Sequence, residues 1–281
     1  MNSIKSKTVK LKAKRTFLKK GTCSRTFFYL LNREFGHPKE MEERAIDPLA
    51  GGIIQQGYQC GMVWGATMAV GAESFRRSDD PDQSIRKTIN ATQRIVESFK
   101  SRAKSIECED ISKTDFTNKW SLAKHFLTGK FYTCFYITGK WAPEAIKAAR
   151  EGLMLEQNGS PQKALSCASE VVKKMGGNEE EMAMVAGFAG GLGLSGSGCG
   201  ALSAAIWKTT LELVRKENWK PSFSDPNLEK IIEKFYGATD YKIECKEICG
   251  KLFQTIDEHT EFIKNGGCEN IIHVLTSPDH P

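Results

Sequence analysis

The sequence predicts an all-α fold built from two similar helical bundles that lie side by side. Apolar residues recur at helical spacing along most of the chain, and no convincing run of alternating β-branched residues interrupts them. One pattern of glycines and cysteines occurs twice, which indicates an internal duplication. The length of 281 residues suits two domains, and no run of about 18 apolar residues is present to span a membrane.

The repeated pattern has identical spacing in both halves. Residues 50–61 read AGG, four residues, G, two residues and CG, and residues 189–200 repeat that order. Further on, IECEDI at 106–111 parallels IECKEI at 243–248. Alignment of the halves pairs the cysteines as Cys23 with Cys167, Cys60 with Cys199, Cys108 with Cys245, and Cys134 with Cys268. Cys249 is left without a counterpart.

These landmarks divide the chain into a basic N-terminal arm at 1–20, a first four-cysteine domain at 21–157 and a second at 158–281. The join falls in the turn-forming cluster 157–161, which reads QNGSP. Eight Lys and Arg and no acidic residue occupy the first twenty positions, which predicts a flexible arm. Residues 1–150 carry 27 basic and 15 acidic residues, a balance of +12, whereas residues 151–281 carry a balance of −6.

Two helices have clear starting signals. Asp80 before Pro81 opens a helix whose apolar stripe runs from Ile85 to Ile106, and Asp225 before Pro226 opens its counterpart, which is expected to stop at Gly237. Periodicity predicts the remaining helices over residues 23–35, 60–75, 143–156, 161–175, 179–188, 199–216 and 249–264.

Both glycine-rich segments deliver a cysteine to the start of a helix, Cys60 in the first half and Cys199 in the second. Free backbone N–H groups and the helix dipole favour the thiolate there, and thiolate is the form that binds metal or attacks disulfides. Glycines beside these cysteines allow close approach to a cofactor, so the candidate cofactor-binding positions are Gly57, Gly61, Gly196, Gly198 and Gly200.

Four separated thiols per domain are compatible with three chemistries. The close Cys pairs of a zinc knuckle are missing, since the one near pair, Cys245 and Cys249, has no partner pair. Structural disulfides suit a secreted protein, and the N-terminal sequence lacks the features of a secretory signal, so we expect a cytoplasmic protein. An iron–sulfur cluster held by four thiolates fits the softness of the ligands best.

The second half resembles the C_GCAxxG_C_C family of redox-active proteins through Cys167, the sequence Gly198-Cys199-Gly200-Ala201, Cys245 and Cys268. The first half resembles it through Cys23, Cys60-Gly61, Cys108 and Cys134. Because that family is similar to the iron–sulfur domain of split-Soret cytochrome c, the resemblance implies a helical fold and an iron–sulfur cluster of the 2Fe-2S type. One or two clusters per chain are expected, with these eight cysteines as ligands.

The first half departs from the family pattern at Gln59 and Met62, and the second has Ala204 where the first has Gly65. The expected function is an electron-transfer module for a partner oxidoreductase, with the basic arm docking an acidic redox partner. A metal-free thiol–disulfide oxidoreductase or redox sensor, with Cys245 and Cys249 as its pair, stays open, as does a purely helical partner-binding protein. The sequence also leaves open the oligomeric state, a homodimer included, and it argues against nucleic acid as the partner.

Overall fold

The structure is a computed structural model that describes residues 3–118, 120, 121, 127, 131–155, 163–216, 219, 220 and 225–277. These residues form α-helices and connecting turns, and their one β-type contact is an isolated antiparallel bridge between Gln59 and Glu107. The all-α prediction is therefore confirmed. The predicted junction at 157 lies outside the described residues.

The first half contains α1 (Ser3–Lys20), α2 (Cys23–Phe35), α3 (Glu40–Ala45), α4 (Gly61–Arg76), α5 (Pro81–Ala103), α6 (Cys108–Ser112) and α7 (Phe131–Met154). A 3-10 turn at Asp47–Leu49 follows α3. The second half contains α8 (Cys167–Lys174), α9 (Glu179–Ala186), α10 (Gly200–Lys216), α11 (Pro226–Thr239), α12 (Cys245–Ile248), α13 (Ile256–Lys264) and α14 (Glu269–Thr276).

The two predicted helix starts are confirmed by matching caps. The Asp80 carboxylate accepts a hydrogen bond from the N–H of Asp82, and the Asp225 carboxylate accepts one from the N–H of Asn227, both over 3.0 Å. In each helix proline is the first helical residue, where its missing N–H costs nothing. The two halves therefore begin this pair of equivalent helices in the same way.

Several predicted boundaries are wrong. The helix predicted over 161–175 begins only at Cys167, and α5 ends at Ala103, before the Ile106 to which its apolar stripe was extended. Helix α7 begins at Phe131 and passes through Pro143, because packing of the buried Trp141 and Ala142 outweighs the proline's preference for a first turn. Helix α11 continues past Gly237 to Thr239. The predicted helix at 249–264 is two helices, α12 and α13, separated by a non-helical segment that follows Cys249.

The basic N-terminal arm is helical, which corrects the prediction of a flexible tail. Ala13 and Phe17 of α1 are buried against α7, where the Phe17 ring stacks on Phe131 with centroids 5.4 Å apart. Lysine is the most frequent residue of α1, and among the side chains that the structure describes in this helix only two apolar ones, Ala13 and Phe17, are buried. Two apolar positions were too few to predict from the sequence that this basic segment packs on the bundle. The arm is therefore a docked helix that carries its charge on the outside.

The two bundles share one hydrophobic core. Buried residues of both halves belong to it, including Phe27 and Trp141 from the first half and Trp207 and Phe235 from the second. Helix α4 approaches α9 so closely that a Cβ atom at Gly71 would lie 2.4 Å from the carbonyl oxygen of Ala183. Within the described part of the chain, no helix combines the length and apolar content that crossing a membrane requires.

Candidate functional site

Seven of the eight paired cysteines stand at a helix start. Cys23, Cys108, Cys167 and Cys245 are the first residues of α2, α6, α8 and α12, whereas Cys60, Cys199 and Cys268 immediately precede α4, α10 and α14. Cys134 is the exception, because it lies within the first turn of the longer α7. The arrangement extends the prediction made for Cys60 and Cys199 to nearly the whole set.

A left-handed turn precedes the second cysteine of each half. Five consecutive residues have positive φ in both copies, 48° to 77° over 51–55 and 58° to 76° over 190–194. In the first copy the last three of these residues are Ile53, Ile54 and Gln55, for which the left-handed region costs about 1–2 kcal/mol each. Strain of this kind persists only where the surrounding structure imposes it, and it is found at functional sites.

Several backbone hydrogen bonds occur at equivalent positions in the two turns. The N–H of Gly57 donates to the carbonyl of Gly51 over 3.0 Å, and the N–H of Gly196 donates to Gly190 over 2.9 Å. The two glycines whose carbonyls accept these hydrogen bonds also donate their own N–H groups to a thiol. Gly51 donates to Cys23, and Gly190 donates to Cys167. The left-handed turn thus presents a backbone donor to the first cysteine of its half.

The same turns hold the third cysteine of each half in place. The carbonyl of Gly57 accepts a hydrogen bond from Glu109 over 2.9 Å, and the carbonyl of Gly196 accepts one from Lys246 over 3.1 Å. Both donors directly follow a paired cysteine, Cys108 or Cys245. The start of α6 is therefore hydrogen-bonded to the turn that precedes α4, and the start of α12 to the turn that precedes α10.

The first thiol group consists of Cys23, Cys60, Cys108 and Cys134. A hydrogen bond links the thiols of Cys23 and Cys60, and the Cys60 thiol also interacts electrostatically with Cys108 and Cys134. Gly61 allows the first contact, since a Cβ atom there would lie 2.7 Å from the Cys23 sulfur. The structure thus brings together all four cysteines that the sequence assigned to this half.

The second thiol group contains five cysteines, one more than predicted. The Cys249 sulfur lies 3.8 Å from the sulfurs of both Cys245 and Cys268, and it interacts electrostatically with Cys167 and Cys199. The comparison of the halves left Cys249 outside the predicted ligand set because its position is occupied by Ser112 in the first half. Its spacing of four residues from Cys245, one helical turn, was the signal available.

Most of these thiols are held in their protonated form. Burial raises the pKa of Cys199 to about 11 and the pKa values of Cys134 and Cys167 to about 12, and it also raises that of Cys108. Hydrogen bonding to a neighbouring thiol and burial together raise the pKa of Cys60. These sulfurs become ligands only when a positive centre replaces their protons.

One sulfur in each group accepts the hydrogen bonds of its neighbours. The Cys60 thiol lowers the pKa of Cys23, and the thiols of Cys245 and Cys268 lower the pKa of Cys249 to about 4. The same hydrogen bonds raise the pKa values of Cys245 and Cys268. Hydrogen bonds from neighbouring thiols therefore favour the thiolate form at Cys23 in the first half and at Cys249 in the second.

The five glycines predicted to bind a cofactor have packing roles in the structure. Gly57 and Gly196 have positive φ and accept the hydrogen bonds described above. Gly61 and Gly200 lie where a Cβ atom would clash, with the Cys23 sulfur and with the carbonyl of Phe188 respectively. Gly198 has a φ of 47° and contacts the side chain of Gln59.

Gln59 joins the two thiol groups. Its amide nitrogen donates to both carboxylate oxygens of Glu107 over 3.3 and 3.1 Å, and a Cβ atom at Gly198 would lie 2.1 Å from its side-chain oxygen. Burial raises the pKa of Glu107 to about 6, and the carboxylate of Glu244 in the other half adds to that shift. Residues that directly precede four of the paired cysteines therefore meet at one place.

The described residues include no group of three or more His, Cys, Asp or Glu side chains that is close enough to hold a metal ion as it stands. The thiols of each group are neighbours, with Cys23 and Cys134 only partly buried and Cys60 and Cys108 buried. What the arrangement offers chemically is a set of soft sulfur donors with backbone N–H groups aimed at them. Such a set can ligate a soft metal centre or exchange protons and electrons as thiols.

Comparison with known proteins assigns a family to the chain. No curated protein and no solved structure matches it significantly. One family profile, described as "Putative redox-active protein (C_GCAxxG_C_C)", matches twice, over residues 22–146 and 164–276. Each match contains one complete set of four paired cysteines together with its left-handed turn. The chain therefore belongs to the C_GCAxxG_C_C family and carries two copies of its domain.

Proposed function

We propose that this redox-family protein is an iron–sulfur electron-transfer module for a partner oxidoreductase. Cys23, Cys60, Cys108 and Cys134 would ligate one cluster, and Cys167, Cys199, Cys245 and Cys268 a second. The observation that carries the proposal is the convergence of four separated thiols in each copy of the domain, with seven of the eight at helix starts. A two-iron cluster supplies one-electron transfer when it is bound.

Two of the proposed ligands in the second thiol group lie near a neighbouring sulfur. Two thiolates on one tetrahedral metal with bonds of about 2.3 Å lie about 3.8 Å apart. Cys249 is not one of the proposed ligands, but its sulfur has this separation from two of them, Cys245 and Cys268, so these side chains already reach a spacing typical of metal ligation. Binding a cluster requires the other sulfurs of each group to move inward by rotation of their side chains.

Backbone donors support the same assignment. The N–H groups of Gly51 and Gly190 point at the first thiol of their half, and the N–H groups of Ala201 and Leu202 at the start of α10 point at Cys199. Hydrogen bonds to cluster sulfurs stabilise their negative charge and help to set the reduction potential. These amides would have that role in both copies.

The basic helix α1 is the docking surface in this proposal. It packs on α7 beside the first thiol group, where the Lys14 ammonium lies 4.8 Å from the ring centre of Phe135, the neighbour of Cys134. Its outer face exposes 59 % of Leu11 and 63 % of Leu18 among the basic side chains. An acidic redox partner matches this charge and would dock beside the first thiol group.

Cysteine variants test the proposal. We expect Cys23→Ser and Cys167→Ser each to remove about half of the bound iron and sulfide and half of the visible absorbance, and the double variant to remove all of it, because each change deletes one ligand of one cluster. Cys249→Ser is the matched control and should retain iron in both halves. Iron content that is unchanged by Cys23→Ser, by Cys167→Ser and by the double variant would contradict the assignment.

A metal-free thiol–disulfide oxidoreductase is the second candidate, and the contacts of Cys249 favour it. Its two neighbouring thiols lie 3.8 Å away, within reach of disulfide exchange after side-chain rotation. This candidate predicts thiol-exchange activity that survives removal of metal by a chelator. The electron-transfer proposal predicts that electron transfer to an acceptor is lost together with the iron.

A further inference from the structure

We propose that Cys249 and Cys268 form a reversible disulfide with each other, which makes the second thiol group a site of oxidation by small disulfide compounds. The inference goes beyond the proposed function, because it requires iron in neither group. It concerns a cysteine that has no counterpart in the first half and that exceeds the four ligands a cluster needs.

The distance between the two sulfurs is the first observation. They lie 3.8 Å apart, and a disulfide bond of about 2.05 Å needs an approach of about 1.8 Å, which side-chain rotation at both residues supplies. Cys245 lies equally near to Cys249, but it is 8 % exposed and stands at the other end of the same helical turn. Distance alone therefore does not choose between the two partners.

Access makes the choice. Cys249 and Cys268 both line a surface pocket of about 310 Å³, together with residues such as Lys242 and Phe262, whereas Cys245 does not line it. A small oxidant that enters this pocket meets Cys249 and Cys268. Cys245 is buried and does not line this pocket, so it is not presented to the oxidant there.

The backbone at Cys268 is strained in a way that fixes its thiol at this pocket. Its φ of 63° and ψ of 8° place a non-glycine residue in the left-handed region, directly before α14. Gly266 and Gly267 precede it, and a Cβ atom at Gly267 would lie 2.3 Å from the Phe262 ring. Close packing of this turn therefore imposes the conformation that holds Cys268 against Cys249.

The reaction is an ordinary pair of thiol–disulfide exchanges. The Cys249 sulfur attacks a small disulfide RSSR, so that a mixed disulfide forms and one RSH leaves with a proton from the protein. The Cys268 sulfur then attacks the Cys249 sulfur, the protein disulfide forms, and the second RSH leaves with the second proton. The two protein thiols lose two electrons, and the probe disulfide gains them.

Oxidised glutathione is a suitable probe, and trypsin separates the relevant cysteines. Cleavage after Lys242, Lys246, Lys251 and Lys264 places Cys245 in peptide 243–246, Cys249 in peptide 247–251 and Cys268 in the peptide that begins at residue 265. The full chain would be treated with the probe as purified and after a chelator, with its iron measured beside it. Remaining thiols are then alkylated and the peptides are analysed by mass spectrometry.

We expect the peptides of Cys249 and Cys268 to be linked in most chains of the chelator-treated sample, and the link to disappear on reduction. Cys249→Ser should abolish it, whereas Cys245→Ser, the matched control, should leave it intact. The four thiols of the first group should be recovered in alkylated form. Protection of the pair in an iron-loaded sample would agree with both proposals.

Three results would overturn the inference. They are a link between Cys249 and Cys245, a Cys249–glutathione adduct with Cys268 still free, and the absence of any link in both samples. Each can occur whether or not iron is bound, so a failure here differs from a failure of the cluster assignment, which is measured by iron content.

Discussion

The two thiol groups share a scaffold and differ in which thiol accepts the hydrogen bonds of its neighbours. Both have a left-handed turn, a glycine N–H aimed at the first cysteine, and a third cysteine fastened to that turn. In the first group Cys23 accepts the hydrogen bond of a neighbouring thiol, whereas in the second group that part is taken by Cys249. The position of Cys249 corresponds to Ser112, which is 2 % exposed and lies beside Cys108.

This difference shows that the two copies share the backbone that positions four paired thiols, while the second copy has a fifth thiol in place of a serine. The frame depends on glycines and on close helix contacts, which tolerate little substitution. A serine or a cysteine fits at the end of α6 or α12 without disturbing that frame, because their side chains have nearly the same size. The chemistry of one copy could therefore change independently of its fold.

The largest expected effect concerns the approach of α2 to α4. A Cβ atom at Gly65 would lie 2.0 Å from the carbonyl oxygen of Ser24, and neither backbone can yield by rotating a side chain. We expect Gly65→Ala to lower the free energy of unfolding by about 3 kcal/mol or more. The equivalent residue of the second half is the buried Ala204, for which Ala204→Gly should cost about 1 kcal/mol.

Chemical denaturation of the full-length variants measures both costs. Equal losses of unfolding free energy from Gly65→Ala and Ala204→Gly would contradict the closer helix approach at Gly65.

A second difference between the copies predicts a pH dependence. Thr22 donates to the carboxylate of Asp47 over 2.5 Å, whereas its counterpart Ser166 donates to the carbonyl of Ala186, an uncharged acceptor at the position equivalent to Asp47. Burial raises the pKa of Asp47 to about 6, against the ordinary 3.8. Because the folded state binds this proton more tightly, the contribution of Asp47 to stability falls as the pH rises from about 4 to about 6.

Asp47→Asn should remove that dependence. We expect the free energy of unfolding of the variant relative to the unmodified protein to rise by about 3 kcal/mol between pH 4 and pH 7, since each pKa unit is worth about 1.4 kcal/mol. Urea titrations at several pH values measure the free energies of unfolding of both proteins. Glu107, whose pKa is also raised to about 6, is present in both, so its pH dependence cancels in the difference between them. A difference that stays flat over this range would exclude a raised pKa at Asp47.

The smallest effects concern the left-handed turns. Gln55 has a φ of 59°, which strains the backbone of a non-glycine residue, and its side chain is only half-buried. Gln55→Gly should therefore stabilise the protein by about 1 kcal/mol. Leu194, its counterpart, has a φ of 65° but is 4 % exposed, and Leu194→Gly should destabilise by about 1–2 kcal/mol because lost burial outweighs relieved strain. Shifts in thermal midpoint of opposite sign check this, and stabilisation by both substitutions would contradict it.

The sequence predicted the elements that follow from local chemistry. The caps at Asp80 and Asp225 and the helix-start positions of Cys60 and Cys199 were readable, because proline, aspartate and glycine act within a few residues. The duplication in turn paired eight cysteines that the structure groups in two sets of four.

Features that depend on distant contacts were not predictable in this way. The left-handed conformation at Ile53 and Ile54 contradicts the preference of β-branched residues, and only the tertiary packing imposes it. The docking of α1 rests on Ala13 and Phe17 finding a partner in α7. Cys249 escaped a search for repeats because a new feature of one copy leaves no trace in the other.

Iron and acid-labile sulfide per chain, measured beside the visible spectrum of protein purified without oxygen, test the central claim most directly. Two occupied thiol groups predict about four iron and four sulfide per chain and a coloured protein, since each two-iron cluster contributes two of each. About two of each would mean that a single copy is loaded. Colourless protein without iron, even after reconstitution with iron and sulfide, would contradict the electron-transfer proposal and leave thiol chemistry as the function of these cysteines.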